Sequence, residues 1–146
     1  MTVENRNPAR ILVIEDNPAD VYLLRHSFDQ HGEYYEMEIL ADGEEAIHFV
    51  EQQRTSPDPE PCVIVLDLHL PKHDGKAVLE AIRKEPSLAN VHVVALTSFA
   101  TSVDEDELRQ MGVRLCTTKP TELDEWVFLA GRILEICRER YAEALV

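Results

Sequence analysis

Five short apolar runs, each followed by a span with helical spacing, predict an α/β chain. The expected fold is a doubly wound three-layer sandwich, with a five-stranded parallel sheet and five helices. Three observations carry this. Runs at residues 10–14 (RILVI), 62–66 (CVIVL), 91–96 (VHVVAL) and 113–118 are bounded by polar residues, as buried strands are. The intervening spans repeat apolar residues every three or four positions. Each of these runs also ends on a chemically capable residue: Glu15 and Asp16, Asp67, Thr97 and Lys119. Five such units commonly adopt the strand order 2-1-3-4-5.

Along the chain, residues 1–9 read as a flexible N-terminal tail and 10–15 as the first strand. Asn17 is suited to cap a helix and Pro18 to its first turn. Val21, Leu24 and Phe28 mark that helix's apolar side, and Gly32 stops it. Residues 34–41 alternate as a second strand, and Asp42 then caps a helix carrying Ala46, Ile47, Phe49 and Val50. The segment 54–61 (RTSPDPEP) holds three prolines and must be loop. The third strand is 62–66. A loop at 68–74 (LHLPKHD), pinned by Pro71, leads past Gly75 to a helix over 76–84 that ends before Pro86. The fourth strand is 91–97. A short acidic helix over 102–111 ends at Gly112, and the fifth strand is 113–118. The last helix is expected to start with Thr121 as cap and Asp124 at the capping-box position. Leu123, Trp126, Val127, Ala130, Ile133, Leu134, Cys137 and Tyr141 recur along it at helical spacing.

Length and charge limit the functions open to the chain. Its 146 residues amount to about one domain. With 28 acidic against 14 basic residues, its net charge of −14 repels nucleic acid and anionic membranes and favours basic protein surfaces and divalent cations. No run approaches the roughly 20 apolar residues of a membrane span. The opening MTVENRNPAR has no signal-peptide core, so a cytoplasmic location is expected. Cys62, Cys116 and Cys137 show neither a disulfide framework nor metal spacing, and are read as buried reduced thiols.

In open α/β sheets ligands bind at the carboxyl ends of the strands. Three carboxylates, a hydroxyl and an ammonium are therefore expected at one edge. Taken singly, each has an ordinary explanation: a solvated turn, a strand-end cap, strand filler, surface charge. As a set they describe chemistry. Three carboxylates together repel, so a proton or a cation must neutralise them. Mg²⁺ or Mn²⁺ fits an all-oxygen set with room for water and a phosphate oxygen. An aspartate carboxylate is a nucleophile toward phosphoryl groups. Asp67 takes that role, Asp16 ligates the metal, Glu15 holds metal-bound water, Lys119 pairs with a phosphoryl oxygen and Thr97 donates a hydroxyl hydrogen bond to another.

The stretches ILVIEDNPAD (11–20), VLDLHLPKHDG (65–75), ALTS (95–98) and TTKP (117–120) carry a resemblance. Over residues 10–140 the chain resembles the flavodoxin-like receiver domains of two-component response regulators. The resemblance implies Mg²⁺-dependent phosphotransfer from a histidine kinase to Asp67, with signalling through protein contacts. Such a domain is a phosphoacceptor that catalyses its own phosphorylation and dephosphorylation rather than a turnover enzyme. Glu15 and Asp16 match the family's acidic pair, Thr97 its switch hydroxyl and Lys119 its phosphate-pairing lysine. The backbone carbonyl of His69 matches its third protein ligand to the metal. Pro120 suggests a cis Lys119–Pro120 bond. Cys116 departs from the pattern, because an aromatic usually stands there and reports phosphorylation on the face formed by the fourth helix, fifth strand and fifth helix. His69 and Phe99 occupy two variable positions that tune phosphate lifetime in the family.

More narrowly, IEDNPAD, the Pro-rich loop before the third strand and DLHLPKHDG resemble single-domain regulators that partner bacterial and cyanobacterial phytochromes. A bacteriophytochrome kinase is the implied partner. Residues 141–146 extend the last helix with Tyr141, Ala144 and Leu145 still apolar, which predicts a C₂ homodimer through that end. A frayed terminus is the alternative. Two further classes compete: a Mg²⁺-dependent phosphohydrolase with an aspartyl-phosphate intermediate, and a receiver-like module that binds constitutively. Haloacid-dehalogenase-like hydrolases use a second aspartate two residues after the nucleophile, where this chain has His69. The complete acidic, hydroxyl and ammonium set speaks against the binding module. A flavin site has no support without a GxGxxG loop.

Overall fold

Each apolar run becomes a strand, and its alternate side chains go to opposite faces of one sheet. The structure, a computed structural model, describes residues 8–57, 60–70, 74–98 and 104–144. The strands are β1 (Ala9–Ile14), β2 (Tyr35–Leu40), β3 (Val63–Asp67), β4 (His92–Thr97) and β5 (Val113–Thr118). The helices are α1 (Pro18–Asp29), α2 (Gly43–Gln53), α3 (Gly75–Lys84), α4 (Glu105–Gln110) and α5 (Leu123–Ala144). The sheet order is β2-β1-β3-β4-β5, parallel throughout, as expected.

One face carries Ile11, Val13, Val63, Val65, Val94 and Leu96 against Leu24 and Phe28 of α1 and Trp126, Ala130 and Ile133 of α5. The other carries Leu12, Ile14, Ile64, Leu66 and Val93 against Ala46 and Val50 of α2, Val78, Leu79 and Ile82 of α3, and Leu108 of α4. Burying each such side chain stabilises the fold by about 1.5–3 kcal/mol. β3 is buried along its whole length, whereas edge strand β2 alternates half-buried with exposed residues.

Aspartate and asparagine begin four of the helices. Asn17 accepts from Ala19 N–H, Asp42 from Glu45 N–H, Asp74 from Ala77 N–H and Asp104 from Glu107 N–H. α5 differs from expectation. Its first main-chain acceptor is the Glu122 carbonyl, which takes the Trp126 N–H at 3.2 Å, so the cap position falls on Glu122 and not on Thr121. Between α3 and β4, Pro86–Leu88 make one 3-10 turn. Glu85 is extended, as the residue before a proline should be. Ala9, assigned to the tail, opens β1 by donating its N–H to Tyr34 O. Of the expected fourth helix only Glu105–Gln110 is described as helical, and residues 102–103 lie outside the described set.

The cysteines also correct the reading. Cys62 and Cys137 are both buried and their sulfurs meet, with Cα atoms 5.1 Å apart across a sequence separation of 75 residues. That spacing is one a disulfide spans. The pair arises because α5 crosses the sheet beside the start of β3, which residue spacing does not reveal. Cys116 is a free thiol.

Candidate functional site

The carboxyl ends of β1, β3, β4 and β5 bring together the residues singled out from the sequence. Glu15 follows β1, Asp67 and Thr97 end β3 and β4, and Lys119 follows β5. Parallel register aligns these ends: Ile14 stands beside Leu66, Asp67 beside Leu96, and Thr97 beside Thr118. The Lys119 N–H donates to Thr97 O at 2.8 Å and fixes where β5 releases its lysine. Glu15, Asp67 and Thr97 are as buried as the apolar residues before them, at 3 %, 3 % and 2 % exposure. Asp16 is exposed and Lys119 half-buried.

Lys119 is the electrostatic centre. Its Nζ lies 2.8 Å from Glu15 Oε1, 2.8 Å from Asp20 Oδ2 and 3.2 Å from Asp67 Oδ2. The contacts to Asp20 and Asp67 are hydrogen bonds. Glu15 Oε1 receives no well-directed hydrogen bond, so its attraction to Nζ is chiefly one of charge. Burial works to lower the Lys119 pKa, but the bond to Asp20 and the nearby Glu15 carboxylate outweigh it and hold the ammonium charged beyond the ordinary lysine range. Burial pushes the Glu15 carboxyl up to about 7; Lys119 opposes that rise, and the neighbouring Asp67 adds to it.

Main-chain donors hold the acids. Glu15 Oε2 accepts from Asn17 N–H at 3.1 Å, and Asp67 Oδ1 from His69 N–H at 2.9 Å. The turn after Asp67 is drawn tight by Gly75 N–H donating to Leu68 O at 3.1 Å. A Cβ at Gly75 would stand 2.5 Å from Leu68 Cα and 2.8 Å from Asp67 O, so only glycine lets α3 start this close to the end of β3. His69 is exposed, and its Nε2 lies 3.1 Å from Thr97 Oγ1.

Glu15, Asp16 and Asp67 each offer an oxygen within 4.8 Å of the others. Together with the undirected, buried Glu15 Oε1, this donor set fits a hard divalent cation. Among the described residues no other such group of three was found, and no helix is long and apolar enough to cross a membrane.

One expectation needs correction, and one residue needs adding. Among the described residues there is no cis peptide bond, so Lys119–Pro120 is trans, the form the X–Pro amide itself prefers. Asp20, a direct partner of Lys119, was not singled out; its place four residues after Asp16 was the available signal. Cys116 lies in β5 beside Ala95, half-buried against the α2–α3–α4 face. Burial, and then Glu105, raise its thiol pKa. Phe99 lies outside the described residues.

Comparison with known proteins agrees with this geometry. Residues 11–128 match the response regulator receiver domain model. Response regulator Rcp1 of Synechocystis sp. is 39% identical over 109 residues, covering 74% of this chain and 72% of Rcp1. The structure of the phosphorylated cyanobacterial phytochrome response regulator RcpA superposes with a TM-score of 0.74 at 29% identity, covering 88% of this chain and 93% of RcpA. The Mn²⁺-bound form of Rcp1 superposes with a TM-score of 0.72 at 34% identity, covering 86% of this chain and 91% of that one. This chain, with its five-stranded parallel sheet and its acids gathered around one lysine, belongs to the response regulator receiver domain family.

Proposed function

We propose that Asp67 accepts a phosphoryl group from the phosphohistidine of a sensor histidine kinase, and that the phosphorylated chain signals by protein contact. The observation that carries this is the Lys119 ammonium 3.2 Å from a buried Asp67 carboxylate, itself one of a cluster of three acids. An Asp67 oxygen forms the O–P bond as the N–P bond breaks, and the electron pair of that bond returns to the imidazole nitrogen. Lys119 stands ready to take a phosphoryl oxygen. Thr97 supplies a hydroxyl from the neighbouring strand end, and His69 holds Asp67 Oδ1 through its N–H. Glu15, Asp16, Asp67 and the His69 carbonyl would hold Mg²⁺ or Mn²⁺. Such an ion supplies charge stabilisation to phosphoryl oxygens. The Mn²⁺-bound Rcp1 structure supports a divalent ion here.

The similarity to Rcp1 and to the phytochrome response regulator RcpA supports a phytochrome-type kinase as partner. The C-terminal helix remains the proposed homodimer contact, through the end that the sequence analysis singled out. Tyr141 itself is half-buried and bonds to Pro8 O of its own chain. Sedimentation of the chain cut after Arg138 tests this: a dimer as strong as the full chain's removes the proposal.

The central test is intact mass after incubation with phosphoramidate or acetyl phosphate, with and without Mg²⁺. One Mg²⁺-dependent phosphoryl adduct, absent in Asp67→Ala, is expected. An adduct that persists in Asp67→Ala overturns the assignment. Multiple turnover of a small phosphomonoester would instead support the phosphohydrolase.

A further inference from the structure

Lys119 has one partner outside both the acceptor and the metal-ligating set. Asp20, in the first turn of α1, places Oδ2 2.8 Å from Nζ, and both side chains are 15% exposed. Asp20 is not among the three acids whose oxygens gather within 4.8 Å. An ammonium offers three donors and no acceptor. Here Asp67 and Asp20 take hydrogen bonds, and Glu15 contributes charge. A divalent cation on Glu15 and Asp67 competes for two of these three anions and repels the ammonium as well. Asp20 is the anion that such a cation leaves to Lys119.

Its support is rigid. α1 is pinned by Leu24 and Phe28, both fully buried, and begins at Asn17. The N–H of Asn17 bonds Glu15 Oε2, so a single turn sets Glu15 and Asp20 on the two sides of Nζ.

We infer that Asp20 is a positioning residue: it keeps the Lys119 ammonium beside Asp67 when a divalent cation claims Glu15 and Asp67, so that Nζ is in place for the incoming phosphoryl group. This rests on Asp67 being the acceptor.

The experiment is an intact-mass time course with phosphoramidate across a Mg²⁺ series, on wild type, Asp20→Asn, Lys119→Ala and the double variant. At saturating Mg²⁺, Asp20→Asn is expected to label roughly tenfold more slowly, the scale of one charge-assisted hydrogen bond. Half-saturating Mg²⁺ should shift by less than about twofold, because the residue acts on the lysine and not on the ion. In the Lys119→Ala background Asp20→Asn should change the rate by less than about twofold, since coupled residues lose their effect once the partner is gone. A wild-type limiting rate in Asp20→Asn overturns the inference, as does an equal slowing in the Lys119→Ala background. Raised half-saturating Mg²⁺ at an unchanged limiting rate overturns it too, and makes Asp20 an attractor of the ion. Asp20→Ser, read the same way, replaces Asp20→Asn if thermal unfolding shows that variant to be misfolded. A wild-type chain that takes no adduct removes the assignment of Asp67 and this inference with it.

Discussion

The middle and the carboxyl end of the same strands are equally dry and electrostatically opposite. Val63–Leu66 are buried hydrocarbon, and one residue later Asp67 is a buried carboxylate. β1 repeats the pattern, with Ile14 before Glu15, and β4 ends in a buried hydroxyl, with Leu96 before Thr97. Burial in the middle gains free energy from every methylene. Burial at the end desolvates like charges that one lysine has to hold together. The middle therefore carries stability, and the end, on the proposed function, carries reactivity at the expense of stability. Substitutions in the two regions should have opposite signatures.

The largest expected effect is on chemistry. Asp67→Ala should lose the phosphoryl adduct completely while its thermal midpoint stays level or rises, since a repulsive partner of Glu15 is removed. A midpoint several degrees lower would show the acid to be structural, and the contrast would fail. Next is the converse. Ile64→Ala removes a fully buried side chain from the middle of β3 and should cost about 2–5 kcal/mol in denaturant unfolding. The folded fraction should still label.

Glu15 sharpens the contrast through pH. Its folded-state pKa of about 7 lies above the ordinary 4.5, so its stabilising protonation is fully present below 4.5 and lost as pH rises through 7. Without metal, stability should fall across that window by at most about 3 kcal/mol. Glu15→Gln should flatten the fall, as read from urea midpoints at successive pH values. Divalent-cation affinity should run the other way and strengthen toward pH 8, because a cation needs the carboxylate. The smallest effect is expected at the turn. Gly75→Ala forces a Cβ into Leu68 and Asp67 backbone and should cost about 1–3 kcal/mol with slower labelling. Normal labelling in that variant would mean that the turn does not aim Asp67.

What was legible in the sequence follows the same division. The middles of the strands declare themselves because period and hydrophobicity are local. The residues at their ends, Glu15, Asp16, Asp67, Thr97 and Lys119, were visible because a parallel sheet aligns strand ends whatever the loops do. The role of Asp20 was not, since it depends on the angle at which α1 leaves β1, which only the packing of Leu24 and Phe28 fixes. The approach of Cys62 to Cys137 and the cap position at Glu122 likewise depend on how α5 lies across the sheet. The trans Lys119–Pro120 bond belongs with these, because an X–Pro pair permits either isomer and the surrounding structure chooses.

The lysine contact has a consequence during synthesis. Lys119 meets Asp20 and Asp67 across 99 and 52 positions of chain, so every acid is made long before its counter-ion. A ribosome that has just released β3 displays Glu15, Asp16 and Asp67 without the ammonium that reconciles them. A chain still lacking residue 119 carries that repulsion between β1 and β3 unless a proton or a divalent cation offsets it.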